Sequence, residues 1–116
     1  MNLGRVSSAA LMLSGVAGVL NPNGVAAALH LSALSERGVT ETRAGLGGTY
    51  AALGAWGLLS RDPAAHLAVG VTWLGAAATR LGSLVVDRPG TDRTFWAYLA
   101  AEIGFGATAL AAARSL

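Results

Sequence analysis

Four charged side chains lie within or beside the apolar segments of this 116-residue sequence. Arg80 and Glu102 each interrupt a long run without other acidic or basic residues, and Glu41 and Arg43 precede another such run. A charge at the centre of a membrane helix costs ~2.5–3.5 kcal/mol on insertion scales, so such groups usually face other helices and find partners there. These residue types could form ion pairs, bind a polar or anionic ligand such as a lipid headgroup, or carry a proton.

The spacing of the charges predicts which of them can meet. Glu41 and Arg43 are two residues apart and therefore point to different sides of one helix, so they are not expected to neutralise each other. Arg43 shares a helix face with Gly47 and Tyr50, which leaves room beside the guanidinium and places a phenol one turn further on. The predicted buried polar network or ligand-binding site comprises Glu41, Arg43, Tyr50, Arg80 and Glu102.

An ion pair between Arg80 and Glu102 follows from their depth. Arg80 lies seven residues before Asp87, and Glu102 lies seven residues after Phe95. At 1.5 Å per residue, both side chains would lie ~10 Å below the same membrane surface in an antiparallel helical hairpin. The sequence therefore predicts that a guanidinium–carboxylate contact joins these two helices.

Other chemistry finds little support in the sequence. His30 and His66 are the only histidines, and the predicted topology puts them at opposite faces of a hydrocarbon core ~30 Å thick, which argues against a shared haem. Each is expected to be a hydrogen-bonded histidine near a membrane surface. There is no cysteine to bind a metal or act as a nucleophile, and the glycines at positions 45, 47 and 48 lack a glycine at position 50, which a dinucleotide loop would need.

We therefore expect no catalytic residue, no metal and no cofactor, and we predict that the protein is not an enzyme. The alternative, an enzyme acting on a lipid or a quinone, would need a nucleophile or a cofactor that the sequence does not indicate.

The composition indicates which solvent surrounds these residues. Charged residues make up 12% of the sequence, against ~25% in a typical soluble domain, and hydrophobic residues make up 53%. The mean hydropathy is +0.54. The 16 glycines favour the close backbone approach seen between membrane helices, and the net charge of +2 is too dispersed to indicate nucleic-acid binding. The protein is therefore predicted to be an integral membrane protein.

Four uncharged or nearly uncharged runs are long enough, or almost long enough, to cross a bilayer. They extend over residues 3–20, 44–60, 64–86 and 95–113. A fifth run, residues 25–34, is too short to cross and is predicted to be an interfacial or re-entrant helix. The predicted fold is a single all-α domain over residues 1–116, a bundle of four transmembrane helices with a short interfacial helix between the first and the second. A cleavable signal peptide is the alternative for residues 3–20, but the three apolar runs that follow favour a membrane span.

The predicted location is the cell (cytoplasmic, inner) membrane, as a multi-pass protein. The arginines are divided almost evenly between the two faces, and only Arg5, which directly flanks the first span, favours a cytoplasmic N-terminus.

The pattern resembles the small bacterial membrane proteins grouped as domain of unknown function 4345. The resemblance covers nearly the whole chain and rests on Asn21-Pro22, the stretch from Thr40 to Ala44 that leads into Gly47-Gly48, Arg80 and Glu102. It implies a four-helix membrane fold and supports attention to Glu41, Arg43, Arg80 and Glu102. It implies no reaction and no substrate.

Two functions remain open on the sequence. The first is a non-enzymatic accessory, scaffold or lipid-associated subunit, with membrane lipids and either further copies of itself or a larger membrane complex as partners, and no nucleic acid. The second is a small-solute or proton-coupled transporter or channel, in which the same buried charges line a pathway. Solvent access to the charged centre would distinguish them.

Overall fold

A computed structural model of the protein describes residues 3–115, and all regular structure in that range is helical. The helices are α1 (Leu3–Leu20), α2 (Pro22–Ala28), α3 (Glu36–Thr42), a π-helical segment (Arg43–Gly48), α4 (Thr49–Leu59), α5 (Pro63–Val86) and α6 (Arg93–Arg114). Three of them, α1, α5 and α6, are long and apolar enough to cross a membrane. The structure thus confirms the all-helical class and three of the predicted apolar spans.

Polar side chains and prolines determine where the helices begin. Asp62 accepts a hydrogen bond from the Ala64 amide at 2.9 Å, and Pro63 occupies the first position of α5, where the missing N–H has no partner to lose. Asp92 caps α6 by accepting from the Phe95 amide at 3.0 Å. These caps explain why α5 and α6 begin at their observed residues.

The segment between the first two apolar runs differs from the prediction. A helix was expected over residues 25–34, but α2 begins earlier, at Pro22, because Asn21 caps it and proline suits the first helical position. It also ends earlier, at Ala28, and His30 follows with a φ of 60°, the left-handed conformation that commonly ends helices.

The predicted second span belongs to a longer continuous helical stretch. α3, the π segment and α4 follow one another without a break from Glu36 to Leu59. Within the π segment the Thr49 amide donates to the carbonyl of Ala44, five residues earlier, instead of four as in an α-helix. The uncharged part of this stretch is therefore interrupted by a wider turn.

α1 packs antiparallel to this stretch at very short range. A Cβ added to Gly15 would stand 2.1 Å from the Ala51 nitrogen, and one added to Gly18 would stand 2.5 Å from the Leu46 carbonyl oxygen. Such contact requires glycine, as is usual where membrane helices approach closely.

α5 and α6 form the second antiparallel pair, and α1 joins the two pairs. Gly106 of α6 lies against the side chain of Leu74 on α5. The Ser7 hydroxyl of α1 is hydrogen-bonded to that of Thr108 on α6, and the Trp73 indole donates to the Ser7 carbonyl at 3.3 Å. The small buried core at this junction contains Leu11, Val69 and Ala109.

Candidate functional site

The Arg80–Glu102 pair is the charged centre of the bundle. Arg80 Nε donates to Glu102 Oε1 and Arg80 Nη2 donates to Oε2, each at 2.9 Å. Glu102 is only 5% exposed, and the Arg80 side chain is 23% exposed. This two-pronged geometry is the strongest arrangement available to an arginine and a carboxylate. It confirms the ion pair predicted between the third and fourth apolar runs.

Two aromatic rings cover the guanidinium. The Arg80 Cζ atom lies 5.4 Å from the centroid of the Phe95 ring and 5.7 Å from that of the Tyr98 ring. Both distances are within the range of cation–π attraction, which grows stronger where water is excluded. The first three turns of α6 therefore provide both the counter-charge and an apolar cover for Arg80, since Phe95, Tyr98 and Glu102 follow at helical spacing.

Two cavities border the same guanidinium. The first, which we call the loop cavity, measures about 190 Å³ and reaches the chain segments that link the helices, where His30, Asp92 and Tyr98 line it with Arg80. The second, the helix cavity, measures about 600 Å³ and lies along α5, with Tyr50, Thr79, Ser83 and Arg80 in its wall. Pro89 and Phe95 contribute to both cavities, so Arg80 stands at the partition between them.

Tyr50 is the other predicted residue that approaches this centre. It is half-buried, packs against the core formed by Leu11, Val69 and Ala109, and lines the helix cavity together with Arg80. The structure therefore brings three of the five predicted residues, Tyr50, Arg80 and Glu102, to one region.

Glu41 and Arg43 lie elsewhere and serve local roles. Arg37 Nε donates to Glu41 Oε2 at 2.7 Å, and both side chains are exposed. Arg43 Nη1 donates to the carbonyl of Val19, near the end of α1. The expectation that Glu41 and Arg43 do not pair with each other is confirmed. The expected pocket containing both Arg43 and Tyr50 is not formed at the helix cavity, because Arg43 turns toward the last carbonyls of α1 and does not line that cavity.

Both interactions have recognisable causes. Arg37 and Glu41 are four residues apart, the spacing at which side chains on a helix meet, so this pair could have been found in the sequence. The last carbonyls of a helix lack intrahelical donors, and a cation is favoured beside them. No sequence signal identified Val19 as the acceptor for Arg43, because their contact depends on how α1 packs against the π segment.

His30 and Asp92 join the two chain segments at this end of the bundle. His30 Nε2 lies 2.9 Å from Asp92 Oδ2. The Asp92 pKa is held below its ordinary value, mainly because its carboxylate accepts hydrogen bonds from the Thr94 hydroxyl and the Phe95 amide, and further because of His30. Asp92 was not among the predicted site residues, although Asp-x-Thr before an apolar run is typical of a helix cap.

His66 is in the first turn of α5, at the end of the bundle where α6 ends, and it departs in part from what the sequence predicts. The residue is 3% exposed, so it is buried within the bundle, and its Nδ1 atom has no hydrogen-bond partner among residues 3–115. The predicted hydrogen bonding of His66 is therefore not found at Nδ1, and its position near a membrane surface stays a prediction. The burial of His66 arises because α1 and α6 close over the first turn of α5, a long-range packing that local sequence does not reveal.

Comparisons with protein-family models, with curated proteins and with solved structures found no match to this chain. The resemblance to domain of unknown function 4345 therefore stays a prediction that rests on the residues quoted for it.

Proposed function

We propose that this protein is a non-enzymatic, lipid-associated membrane subunit with four membrane crossings, in which Arg80 binds the phosphate of a lipid headgroup. In this proposal the fourth crossing is the stretch from α3 to α4, and α2 lies at the membrane surface. The observation that carries the proposal is the position of the Arg80 guanidinium, paired with Glu102 and bordered by two cavities.

The packing of α1 supports the fourth crossing. α1 is long and apolar enough to cross, and α4 lies antiparallel to it at backbone contact from Gly15 to Ala51. Two helices in such contact share one depth range, so the uncharged residues from Ala44 to Leu59 would lie in the same hydrocarbon layer as α1.

The donor count of Arg80 supports phosphate binding. A guanidinium has five N–H groups, and the two bonds to Glu102 use two of them. Phosphate oxygens are suitable acceptors for the others, and arginine is well suited to planar recognition of phosphate. The loop cavity, which opens beside the short interhelical segments, is the route by which a headgroup would reach Arg80 from the membrane surface.

The state of the charges supports a binding role over catalysis. Glu102 is already paired with Arg80 through two hydrogen bonds that tie α5 to α6. In this proposal it therefore fixes the position of Arg80 and does not transfer protons. Partner association follows as part of the proposal, because open glycine positions at Gly82 and Gly104 leave shallow surfaces where further copies or another membrane subunit would pack.

Native mass spectrometry with phosphatidylglycerol as the probe tests the lipid proposal. The wild-type protein should retain the lipid, and the double variant Arg80→Leu/Glu102→Leu, which removes both charges together, should lose it while remaining folded. Diacylglycerol, which has the same acyl chains and no phosphate, should be retained to the same extent by both proteins. Equal retention of phosphatidylglycerol by wild type and double variant would refute the role of Arg80.

A transporter or channel is the alternative, and the two cavities that meet at Arg80 favour it. The chain contains no cysteine, so single cysteine variants report unambiguously. Ala77→Cys, at a buried position of α5, should stay protected from a water-soluble maleimide if the bundle is closed, with Gly90→Cys in the 87–92 turn as the accessible control. Rapid labelling of the Ala77→Cys variant in membranes would show that water reaches the interior of the bundle, which would support a transport pathway and contradict a closed bundle.

A further inference from the structure

A separate cavity lies at the opposite end of the bundle, where α1 begins and α6 ends. It measures about 340 Å³, within the size range of small-molecule sites, and we call it the His66 cavity. The described residues that line it are Leu3, Gly4, His66, Thr108, Ala111, Ala112 and Ser115. It shares no residue with the loop cavity or the helix cavity.

One nitrogen of the imidazole in this wall lacks a hydrogen bond. His66 is buried, and Nδ1 has no partner within the described part of the chain. A buried polar atom without a partner destabilises the fold, so native proteins nearly always satisfy such atoms with protein, water or ligand. A neutral imidazole offers one N–H donor and one acceptor nitrogen. His66 is one of the residues that line the cavity, and a half-turn of its ring about χ2 exchanges Nδ1 with a carbon at little change in shape, so Nδ1 can occupy either of two positions.

The remaining wall defines what could bind the imidazole. Among the wall residues that lie within 3–115, His66 is the only acidic or basic one, so these residues offer a charged ligand no other counter-charge. The Ser115 hydroxyl donates to the Ala111 carbonyl at 3.0 Å, so its oxygen can still accept a hydrogen bond. The rest of the wall is mostly aliphatic. A matching ligand is uncharged, has an apolar body, and carries a group that both donates and accepts a hydrogen bond.

We propose that the His66 cavity binds an uncharged alcohol or phenol, whose hydroxyl group pairs with the His66 imidazole while its apolar body contacts Leu3 and Ala112. The hydroxyl donates to the acceptor nitrogen of the ring, a hydrogen bond that an ether cannot make, and Ser115 Oγ is available as an alternative acceptor. This site does not depend on the lipid site at Arg80.

The test uses 1-naphthol as the probe, with 1-methoxynaphthalene as a ligand of similar shape that cannot donate a hydrogen bond. The protein has two histidines, so uniform ¹⁵N-histidine labelling gives two sets of ring signals, which a His30→Gln variant assigns. In detergent micelles, 1-naphthol should shift the His66 ring signals saturably and leave His30 unchanged. The methoxy compound should bind about tenfold more weakly, the equivalent of one hydrogen bond.

Two variants separate binding in the cavity from partition into the micelle. Ala112→Leu places extra atoms in the cavity and should abolish saturable binding. Ala107→Leu adds the same atoms on the exposed side of α6 and should leave binding unchanged. His66→Phe keeps a ring of similar size without nitrogen, and calorimetry should show that it no longer distinguishes 1-naphthol from its methyl ether. If the two ligands bind wild type equally, or if Ala112→Leu binds as wild type does, the proposal is overturned.

Measurements in nanodiscs distinguish whether the natural hydroxyl compound is a membrane lipid or a free solute. Diacylglycerol at a few mole per cent should reproduce the His66 shift if the ligand is a membrane lipid, whereas 1-naphthol alone will do so if the ligand is a free solute. Failure of both compounds to shift His66 would refute the site.

Discussion

Gly54 on α4 lies directly against Met12 on α1. A Cβ on Gly54 would stand 2.2 Å from the Met12 nitrogen and 2.6 Å from its Cα atom. Both are backbone atoms, so the clash cannot be relieved by rotating a side chain, and a methyl group would push the two helices apart.

Gly54→Ala should therefore destabilise the bundle. In an exposed helix, glycine to alanine stabilises by roughly 1 kcal/mol, but overpacking a close contact costs roughly 1–3 kcal/mol. The matched control is Gly75→Ala on α5, where the new Cβ meets open space. Thermal denaturation in detergent should show a lower Tm for Gly54→Ala and an unchanged or higher Tm for Gly75→Ala. Equal Tm values for the two variants would contradict the backbone contact of α1 with α4.

Removing either partner of the Arg80–Glu102 pair alone should strongly destabilise the folded protein. Arg80→Leu and Glu102→Leu each leave a buried charge without its partner, at a cost of roughly 3–5 kcal/mol, whereas removing both charges is often close to neutral. The yield of monodisperse protein from membranes should fall in both single variants and recover in the double variant. Arg61→Leu, in an exposed turn, serves as the control. A double variant as poor as the two losses combined would show that the two residues do not stabilise the fold through each other.

Acid should weaken the cap of α6. Because the pKa of Asp92 is lowered in the folded protein, its carboxylate stabilises the fold at pH values above its unfolded pKa, and this stabilisation is lost as the pH falls through the folded pKa. The difference in Tm between wild type and Asp92→Asn should therefore be largest near pH 7 and shrink below about pH 4.

Thr94 provides the matched test of the cause. Its hydroxyl makes the largest contribution to the lowered pKa, so Thr94→Val should move the Asp92 carboxyl titration, followed by ¹³C NMR, upward toward its ordinary value of 3.8. An unchanged titration would assign the shift to other groups.

Four crossings predict a definite topology. Reporters placed after Leu116 and at Arg61 should lie on the same side of the membrane, and a reporter at Gly90 should lie on the other side. Gly90 suits insertion because a side chain there meets open space. If the reporters at Arg61 and after Leu116 lie on opposite sides, α5 and α6 do not both cross.

The sequence predicted most of the helices because charges, prolines and capping residues limit the apolar runs. It also predicted the Arg80–Glu102 pair from the depths of the two residues. That prediction placed the start of the last span at Phe95, two residues after the observed start of α6 at Arg93. The backbone of Glu102 therefore lies further from the 87–92 turn than the backbone of Arg80 does. The pair still forms because helical side chains lean toward the N-terminus, so those of two antiparallel helices lean in opposite directions and converge.

What the sequence did not predict depends on contacts between distant segments. The burial of His66 requires α1 and α6 to close over α5, and the His30–Asp92 contact requires a left-handed residue at position 30. The role of Arg43 depends on the π segment. In that segment the backbone hydrogen bonds span five residues instead of four, and the wider turn rotates the residues that precede it relative to α4. A regular helical projection therefore placed Arg43 and Tyr50 on one face, which the structure does not retain.

The π segment also has a consequence for the length of the chain. A turn that spans five residues contains one residue more than an α-helical turn, so the Arg43–Gly48 segment is equivalent to a single-residue insertion in a regular helix. Deleting Gly45, which has open space around it, would restore regular geometry and turn α3 by about 100° about the helix axis. Arg43 would then leave the Val19 carbonyl. A related protein that lacks this residue would therefore need a different group to donate a hydrogen bond to the last carbonyls of α1.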